Sequence, residues 1–268
     1  MKSDFHMHSS FSGDSDTPML DMIERAIALG LETICFTEHY DEDYPEGEDD
    51  FSLDTSAYYT TLCTLKEQYA SKINIRFGVE LGMQPHLVAL YTKYVQSWPF
   101  DFVIASQHVL DHADPYYPSF WNGKKPSDVI CSYFEETLKN LQLMKEYDTL
   151  AHLDYIVRYA GPGHTSYHYD EYADVIDPIL RYLIEQGKCL EINTAGFKYE
   201  LEHPNPCEEV LKRYRELGGE LITIGSDGHK PKHLAYDFNR LQSLLTDIGF
   251  QYYCIFQNRK PEFLKLSM

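Results

Sequence analysis

Asp4-Phe5-His6-Met7-His8-Ser9-Ser10-Phe11-Ser12-Gly13-Asp14 opens the chain with two imidazoles one residue apart and a carboxylate just past a Ser/Gly turn. Residues 2–8 alternate well enough for a short strand. On a strand, side chains at i and i+2 share a side, so His6 and His8 project together. With Asp14 they make half a metal shell. An isolated pair of this kind is more often two polar residues at a strand end than a ligand set. The later strands decide between these readings.

Working outward, apolar segments of strand length alternate with helical patterns. Thr17-Pro18 reads as an N-cap followed by Pro at the first helical position, opening a helix over 19–29 that Gly30 closes. Strands are expected at 31–37, 73–79, 100–106, 149–151, 189–193 and 221–225, with a last short one at 252–256. Helices are expected at 56–69, 85–95, 127–147, 172–186, 207–217 and 236–248. An acidic, turn-rich stretch covers 41–54, and long aromatic loops cover 110–125 and 159–169. Strands separated by helix-length segments pair in parallel through right-handed crossovers. Seven such units without a linker or repeat predict one domain over 1–268, closed or nearly closed as a (β/α) barrel.

In such a barrel the carboxyl ends of the strands converge on one face. Those ends carry His6 and His8, then Glu38-His39, Glu80, Gln107-His108, His152, Glu191 with Asn193, and Asp227 with His229. Any one has a bland explanation; seven consecutive strand ends do not share one. Six of the twelve histidines fall in this set. One catalytic zinc takes about three protein ligands, so the number of imidazoles and carboxylates gathered here suits two or three divalent ions. Mixed imidazole and carboxylate ligands accept Zn, Fe or Mn. Closely spaced ions of this kind suit phosphoester hydrolysis, in which a metal-bound hydroxide attacks phosphorus.

Bulk properties narrow the partners. The formal charge of −19 repels a phosphate backbone and disfavours nucleic acid. No apolar run approaches the roughly 18 residues needed to span a bilayer. A secretory signal is absent, and the six cysteines form no CxxC pair, so a cytoplasmic protein with free thiols is expected.

The motifs DFHMHSSFSGD, FTEH, GVELG, ASQHV, AHLDYIVR, EINTAG and GSDGH occur in order through nearly the whole chain. They resemble the polymerase-and-histidinol-phosphatase (PHP) superfamily, and within it the histidinol-phosphate phosphatases of the HisJ/HisK type. The resemblance implies a distorted (β/α)7 barrel. It implies that His6, His8, Glu80 and Asp227 hold one ion, that Glu80 bridges to a second at His108 and His152, and that Asp14, His39 and His229 complete a third site. Many PHP proteins have His where this chain has Asp14. The attacking hydroxide would be held by Glu80, Asp227, His8 and His152. The implied activity is hydrolysis of L-histidinol phosphate, a small-molecule phosphate ester, to L-histidinol and phosphate in histidine biosynthesis. The alternative is a PHP phosphoesterase for another ester: a nucleotide, a sugar phosphate or a phosphotyrosyl protein. Amidohydrolases also open with HxH, but their bridging group is often a lysine on the fourth strand, where this chain has Gln107-His108.

Substrate contacts are expected from Arg158, six residues past His152 and able to fork onto phosphate oxygens, and from Lys198 and His203 beyond the sixth strand. The aromatic run 116–121 is read as a cover over the substrate, as a packed surface loop or as a homo-oligomer contact.

Overall fold

Each apolar segment of the chain pairs in parallel with the next one along. A computed structural model describes residues 1–45, 51–161, 167–199 and 201–266. Its strands β1 (Ser3–Asp4), β2 (Thr33–Tyr40), β3 (Asn74–Gly82), β4 (Phe102–Ser106), β5 (Thr149–Leu150), β6 (Cys189–Asn193) and β7 (Ile222–Gly225) form one sheet in sequence order. All six pairings are parallel. The outer helices are α1 (Met19–Ala28), α2 (Thr55–Tyr69), α3 (Val88–Ser97), α4 (Pro126–Leu143), α5 (Ala173–Gln186), the one-turn α6 (Ala195–Lys198), α7 (Glu208–Glu216) and α8 (Phe238–Ile248). This is the distorted (β/α)7 barrel that the sequence led us to expect.

Helix burial follows the 3.6-residue period. Met19, Met22, Ile23 and Ala26 of α1 face inward, as do Ile176, Ile179, Leu180 and Leu183 of α5. No described helix is long and apolar enough to cross a membrane.

The sheet closes through Phe5 N to the Ile224 carbonyl (3.0 Å), His8 N to the Gly228 carbonyl (3.0 Å) and a Met7–Gly228 bridge. Asp4 fastens this seam from inside. Its fully buried carboxylate accepts from the Ser226 hydroxyl (2.5 Å), the Ser226 and Ala235 amides (3.0 Å each) and the His6 amide (3.4 Å). Burial raises the Asp4 carboxyl, and these four donors pull it back.

Several local expectations need correction. The first strand is shorter than 2–8 because the Met7 amide turns to the Thr37 hydroxyl (3.3 Å) instead of continuing the ladder. Pro18, not Thr17, takes the cap position of α1. The Thr17 hydroxyl donates instead to the His229 carbonyl (2.9 Å). Helix α4 stops at Leu143, where Met144 turns extended (ψ 131). The last short strand, β8 (Tyr252–Gln257), gains an antiparallel partner, β9 (Lys260–Lys265). Residues 46–50 of the acidic stretch and 162–166 of the second long loop lie outside the described residues.

The β8–β9 hairpin caps the amino end of the barrel. The Ser3 hydroxyl donates to the Tyr253 hydroxyl (3.0 Å), Phe256 packs on Phe102 (centroids 5.0 Å apart), and Asn258 N donates to Asp101 (3.0 Å). The opposite end, where the strands finish, is left for the polar side chains.

Replacing Asp4 with alanine strips four donors of a buried acceptor at the seam. The expected loss is about 2–4 kcal/mol of unfolding free energy, read as a lower denaturant midpoint at unchanged m-value.

Candidate metal centre

Glu80, near the end of β3, is fully buried, and five imidazoles surround its carboxylate. Oε2 lies 2.9 Å from His6 Nε2, 3.2 Å from His39 Nδ1 and 3.4 Å from His8 Nε2. Oε1 lies 3.0 Å from His152 Nε2 and 3.3 Å from His108 Nε2, and it accepts from the Ser106 hydroxyl at 2.5 Å. Six partners compete for about four lone-pair directions. His8 Nε2 and His39 Nδ1 are buried without a hydrogen-bond partner. Such a set is badly matched as a hydrogen-bond network and well matched to cations placed between the imidazoles and the carboxylate.

Four triads offer ligand atoms within 4.8 Å of one another: His6-His8-Glu80, Glu80-His108-His152, His8-His39-His229 and His39-Asp41-His108. Asp227 Oδ1 joins the first, 3.5 Å from His8 Nε2 and 3.9 Å from His6 Nε2. Asp14 Oδ2 joins the third, 2.8 Å from His229 Nε2 and 3.7 Å from His39 Nε2. All nine residues expected from sequence are thus brought together. His8 sits between the second-strand and last-strand groups, its ring stacked 4.2 Å from both His39 and His229.

Electrostatics follow from this crowding. Burial alone would raise Glu80, but the His6, His39 and His108 imidazoles outweigh it and hold the carboxyl well below the usual range. Asp227 is likewise held low, against burial, by the neighbouring His8, His6 and His229 imidazoles. His39 is pushed up to about 9, because Glu80 and Asp14 overcome the opposing effect of burial. His8 goes the other way: burial and then the neighbouring His229 and His39 depress it. Divalent ions suit such a carboxylate-rich nest, where they would take the place of the protons that the crowded acids draw onto the imidazoles.

A further layer, unassigned from sequence, fixes the rings. Glu191 Oε1 lies 2.6 Å from His6 Nδ1, and Glu191 Oε2 accepts from the His152 amide (3.1 Å). Asp41 Oδ2 lies 2.6 Å from His108 Nδ1, leaving Nε2 to face Glu80. Glu38 accepts from the Ser9 amide (2.9 Å) and hydroxyl (2.5 Å) and the Ser12 hydroxyl (2.6 Å), setting the turn after His8. Gly225 makes the approach of β7 possible: a Cβ there would lie 2.3 Å from His6 Cβ and 2.6 Å from Glu191 Oε1. His152 (φ 24) and Asp227 (φ 50) sit in the left-handed region, a cost that well-supported functional sites tolerate.

Above the nest lies a cavity of ≈ 220 Å³ with Tyr44, Tyr116, Tyr117, Tyr155, Tyr159 and Tyr199 in its wall. Of the aromatic run 116–121, the two tyrosines reach it. Phe120 is instead buried in the core, and Trp121 donates to the Pro115 carbonyl (2.8 Å). Arg158 lines the cavity, its guanidinium 3.9 Å over the Tyr199 ring, and its Nε and Nη2 are shut from solvent without a protein partner. Asp154, at the head of the same segment, is fully buried and accepts from the Tyr167 hydroxyl and Cys207 amide (2.9 Å each) and Asn205 (2.5 Å). Lys198 lies behind the wall, donating to the Asp227 carbonyl (3.0 Å); burial lowers its pKa against the pull of Asp227. His203 is not among the lining residues; its Nδ1 lies 2.6 Å from the Pro204 carbonyl.

A barrel with a poly-histidine, carboxylate-bridged nest at its carboxyl end is the architecture of the PHP domain, whose family model matches residues 4–195. The chain belongs to the PHP domain family. It is 33% identical to the histidinol-phosphatase of Lactococcus lactis over 268 residues, covering 100% of this chain and 98% of that protein. A Thermotoga maritima protein named "probable histidinol-phosphatase" is 30% identical over 252 residues, 94% of each chain. The crystal structure of the Lactococcus lactis histidinol phosphate phosphatase, complexed with zinc, L-histidinol and phosphate, superposes with a TM-score of 0.91, covering 97% of this chain and 98% of that one.

Carboxylates behind metal-bound imidazoles tune affinity. Glu191→Gln should weaken metal binding roughly 10- to 100-fold, as measured by competition with a chromogenic chelator.

Proposed function

We propose that this protein is a metal-dependent phosphomonoesterase that hydrolyses L-histidinol phosphate to L-histidinol and inorganic phosphate. The observation that carries this reading is the convergence of five imidazoles on Glu80 in a cavity that also holds an arginine with free donors. Full-length similarity to a relative complexed with zinc, L-histidinol and phosphate supports the choice of ester.

In this reading two or three divalent ions (zinc, iron or manganese) occupy the nest. His6, His8, Glu80 and Asp227 hold one, Glu80 with His108 and His152 a second, and Asp14, His39 and His229 a third. Ions bound there lower the pKa of water and offset the charge that gathers on the phosphoryl oxygens. The chain's own residues do the rest. Glu191 and Asp41 keep His6 and His108 in one tautomer each, so the nest needs no rearrangement when substrate arrives. Arg158 offers Nε and Nη2 as a fork to two phosphate oxygens, its plane held by the Tyr199 ring. Lys198 adds positive charge through the Asp227 segment rather than by direct contact. The tyrosine wall excludes water, which strengthens each of these interactions.

Purified, metal-loaded protein should release phosphate from L-histidinol phosphate and lose that activity on chelation, regaining it when zinc or manganese is restored. Absence of turnover at full metal occupancy would refute the reading. Arg158→Ala should lower kcat/KM for that ester roughly 10- to 100-fold, mostly through KM, because the charge-assisted fork of a half-buried arginine is lost. Steady-state kinetics with phosphate detection distinguishes this from a structural arginine, whose loss would lower the melting temperature instead.

A further inference from the structure

Two imidazoles of the nest have a carboxylate directly behind them: Glu191 at His6 Nδ1 and Asp41 at His108 Nδ1, each at 2.6 Å. His8 is different. Its ring is fully buried, and its Nδ1 lies 3.1 Å from the hydroxyl of Ser12, in the turn that follows. That hydroxyl has two further neighbours, the His39 amide at 3.0 Å and Glu38 Oε2 at 2.6 Å.

A serine hydroxyl has one proton and two lone pairs, and three neighbours use all of them. The His39 amide can only donate, so it takes one lone pair. Glu38 decides the rest. Its Oε1 lies 2.5 Å from the Ser9 hydroxyl, and its Oε2 receives the Ser9 amide (2.9 Å) as well as Ser12. Hydroxyl contacts this short have the length of bonds to an ionised oxygen, so Glu38 accepts on both sides. The Ser12 proton therefore goes to Glu38, and the remaining lone pair can only receive a proton from His8 Nδ1. His8 Nε2 is then bare. It faces Glu80 Oε2 at 3.4 Å and Asp227 Oδ1 at 3.5 Å, both acceptors, and has no hydrogen-bond partner. A metal ligand must be unprotonated at the atom it offers, and this nitrogen is.

From this we infer that Ser12 is a positioning residue that relays Glu38 to His8, locking that ring as the Nδ1–H tautomer with Nε2 open to a metal ion. The inference rests on the metal-holding part of the reading above and is independent of its choice of ester. Because the same hydroxyl holds the His39 amide, one side chain also fixes the turn after β1 against the end of β2. Ser9 supplies the internal comparison. Its hydroxyl donates to the other oxygen of the same carboxylate, and among the described residues no imidazole nitrogen bonds to it.

The tautomer is read by heteronuclear NMR of the histidine rings in the isotope-labelled, metal-free full chain, with His8 assigned as the ring missing from His8→Gln. Wild type should carry the proton on Nδ1. Ser12→Ala should populate the Nε2–H form, whereas Ser9→Ala and Ser12→Thr should keep the wild-type tautomer. Zinc affinity, read by competition with a chromogenic chelator, should fall roughly 10- to 100-fold in Ser12→Ala. It should stay near wild type in Ser9→Ala and return at least in part in Ser12→Thr.

A His8 ring protonated on Nε2 in wild type overturns the inference, and that result depends on no variant folding. Equal zinc losses in Ser12→Ala and Ser9→Ala would assign Ser12 to the turn alone and overturn it too. Neither readout involves turnover. A protein that binds zinc with His8 in the Nδ1–H form but leaves histidinol phosphate intact would sink the proposed substrate and sustain the relay. One that hydrolyses the ester with His8 in the other tautomer would do the reverse.

Discussion

One buried carboxylate with more partners than it can satisfy organises this molecule. Glu80 has two oxygens and six polar neighbours, five of them imidazoles drawn from the segment just after β1, the end of β2, and the turns after β4 and β5. Protonating all five rings would gather five positive charges around one negative one in a buried space. Leaving them all neutral wastes acceptor atoms aimed at an acceptor. Cations resolve both problems, because each imidazole lone pair and each carboxylate oxygen then has a positive partner. The barrel exists, in this sense, to hold side chains from distant parts of the sequence in a mismatch that only cations relieve.

That requirement explains why the seam between the first and last strands is so heavily fastened. His6, His8 and Asp227 lie on its two sides, and a slack seam would separate side chains that meet in the nest. Asp4 bonds across it, Gly225 lets the strands approach, and Thr17 and Ser15 both donate to the His229 carbonyl (2.9 Å each). The stretch between the two histidines and α1 therefore acts as a strut for the last strand's loop. It does more than supply Asp14.

Much of this was legible in the sequence. Strand alternation and seven polar strand ends revealed the barrel and its face, since period-2 patterning and the convergence of strand ends are local signals with a global consequence. The nine side chains that meet at the nest were legible for the same reason. Asp4, Asp41 and Asp154 were not, and Glu38 stood out only as a strand-end residue without a role, because a carboxylate that accepts from backbone amides or a neighbouring ring leaves no periodic mark. Strand β9 was hidden by its own chemistry: Pro261 argues against a strand. The turn before it is Asn258-Arg259, where arginine takes a positive φ of 61 that sequence patterns reserve for glycine. Likewise Thr17 has the composition of a cap but spends its hydroxyl on a contact 212 residues away.

The division of labour within the cavity follows from where rigidity is available. In the proposed reading, the groups that face phosphorus sit at or just past strand ends, which the sheet holds in place. The loops after β4 and β5 wall the cavity, with Asp114 and Tyr116 on one and Arg158 on the other. Those loops are long, but they are pinned by buried carboxylates. Asp154 ties the second loop to the segment after β6 through Asn205 and the Cys207 amide, and Asp114 ties the first to the segment after β2 by accepting from the Tyr44 hydroxyl. In that reading a protein of net charge −19 would present an anionic ester with a locally cationic floor once divalent ions fill the nest. The overall charge works against polyanions such as nucleic acid and leaves a small ester unhindered at short range.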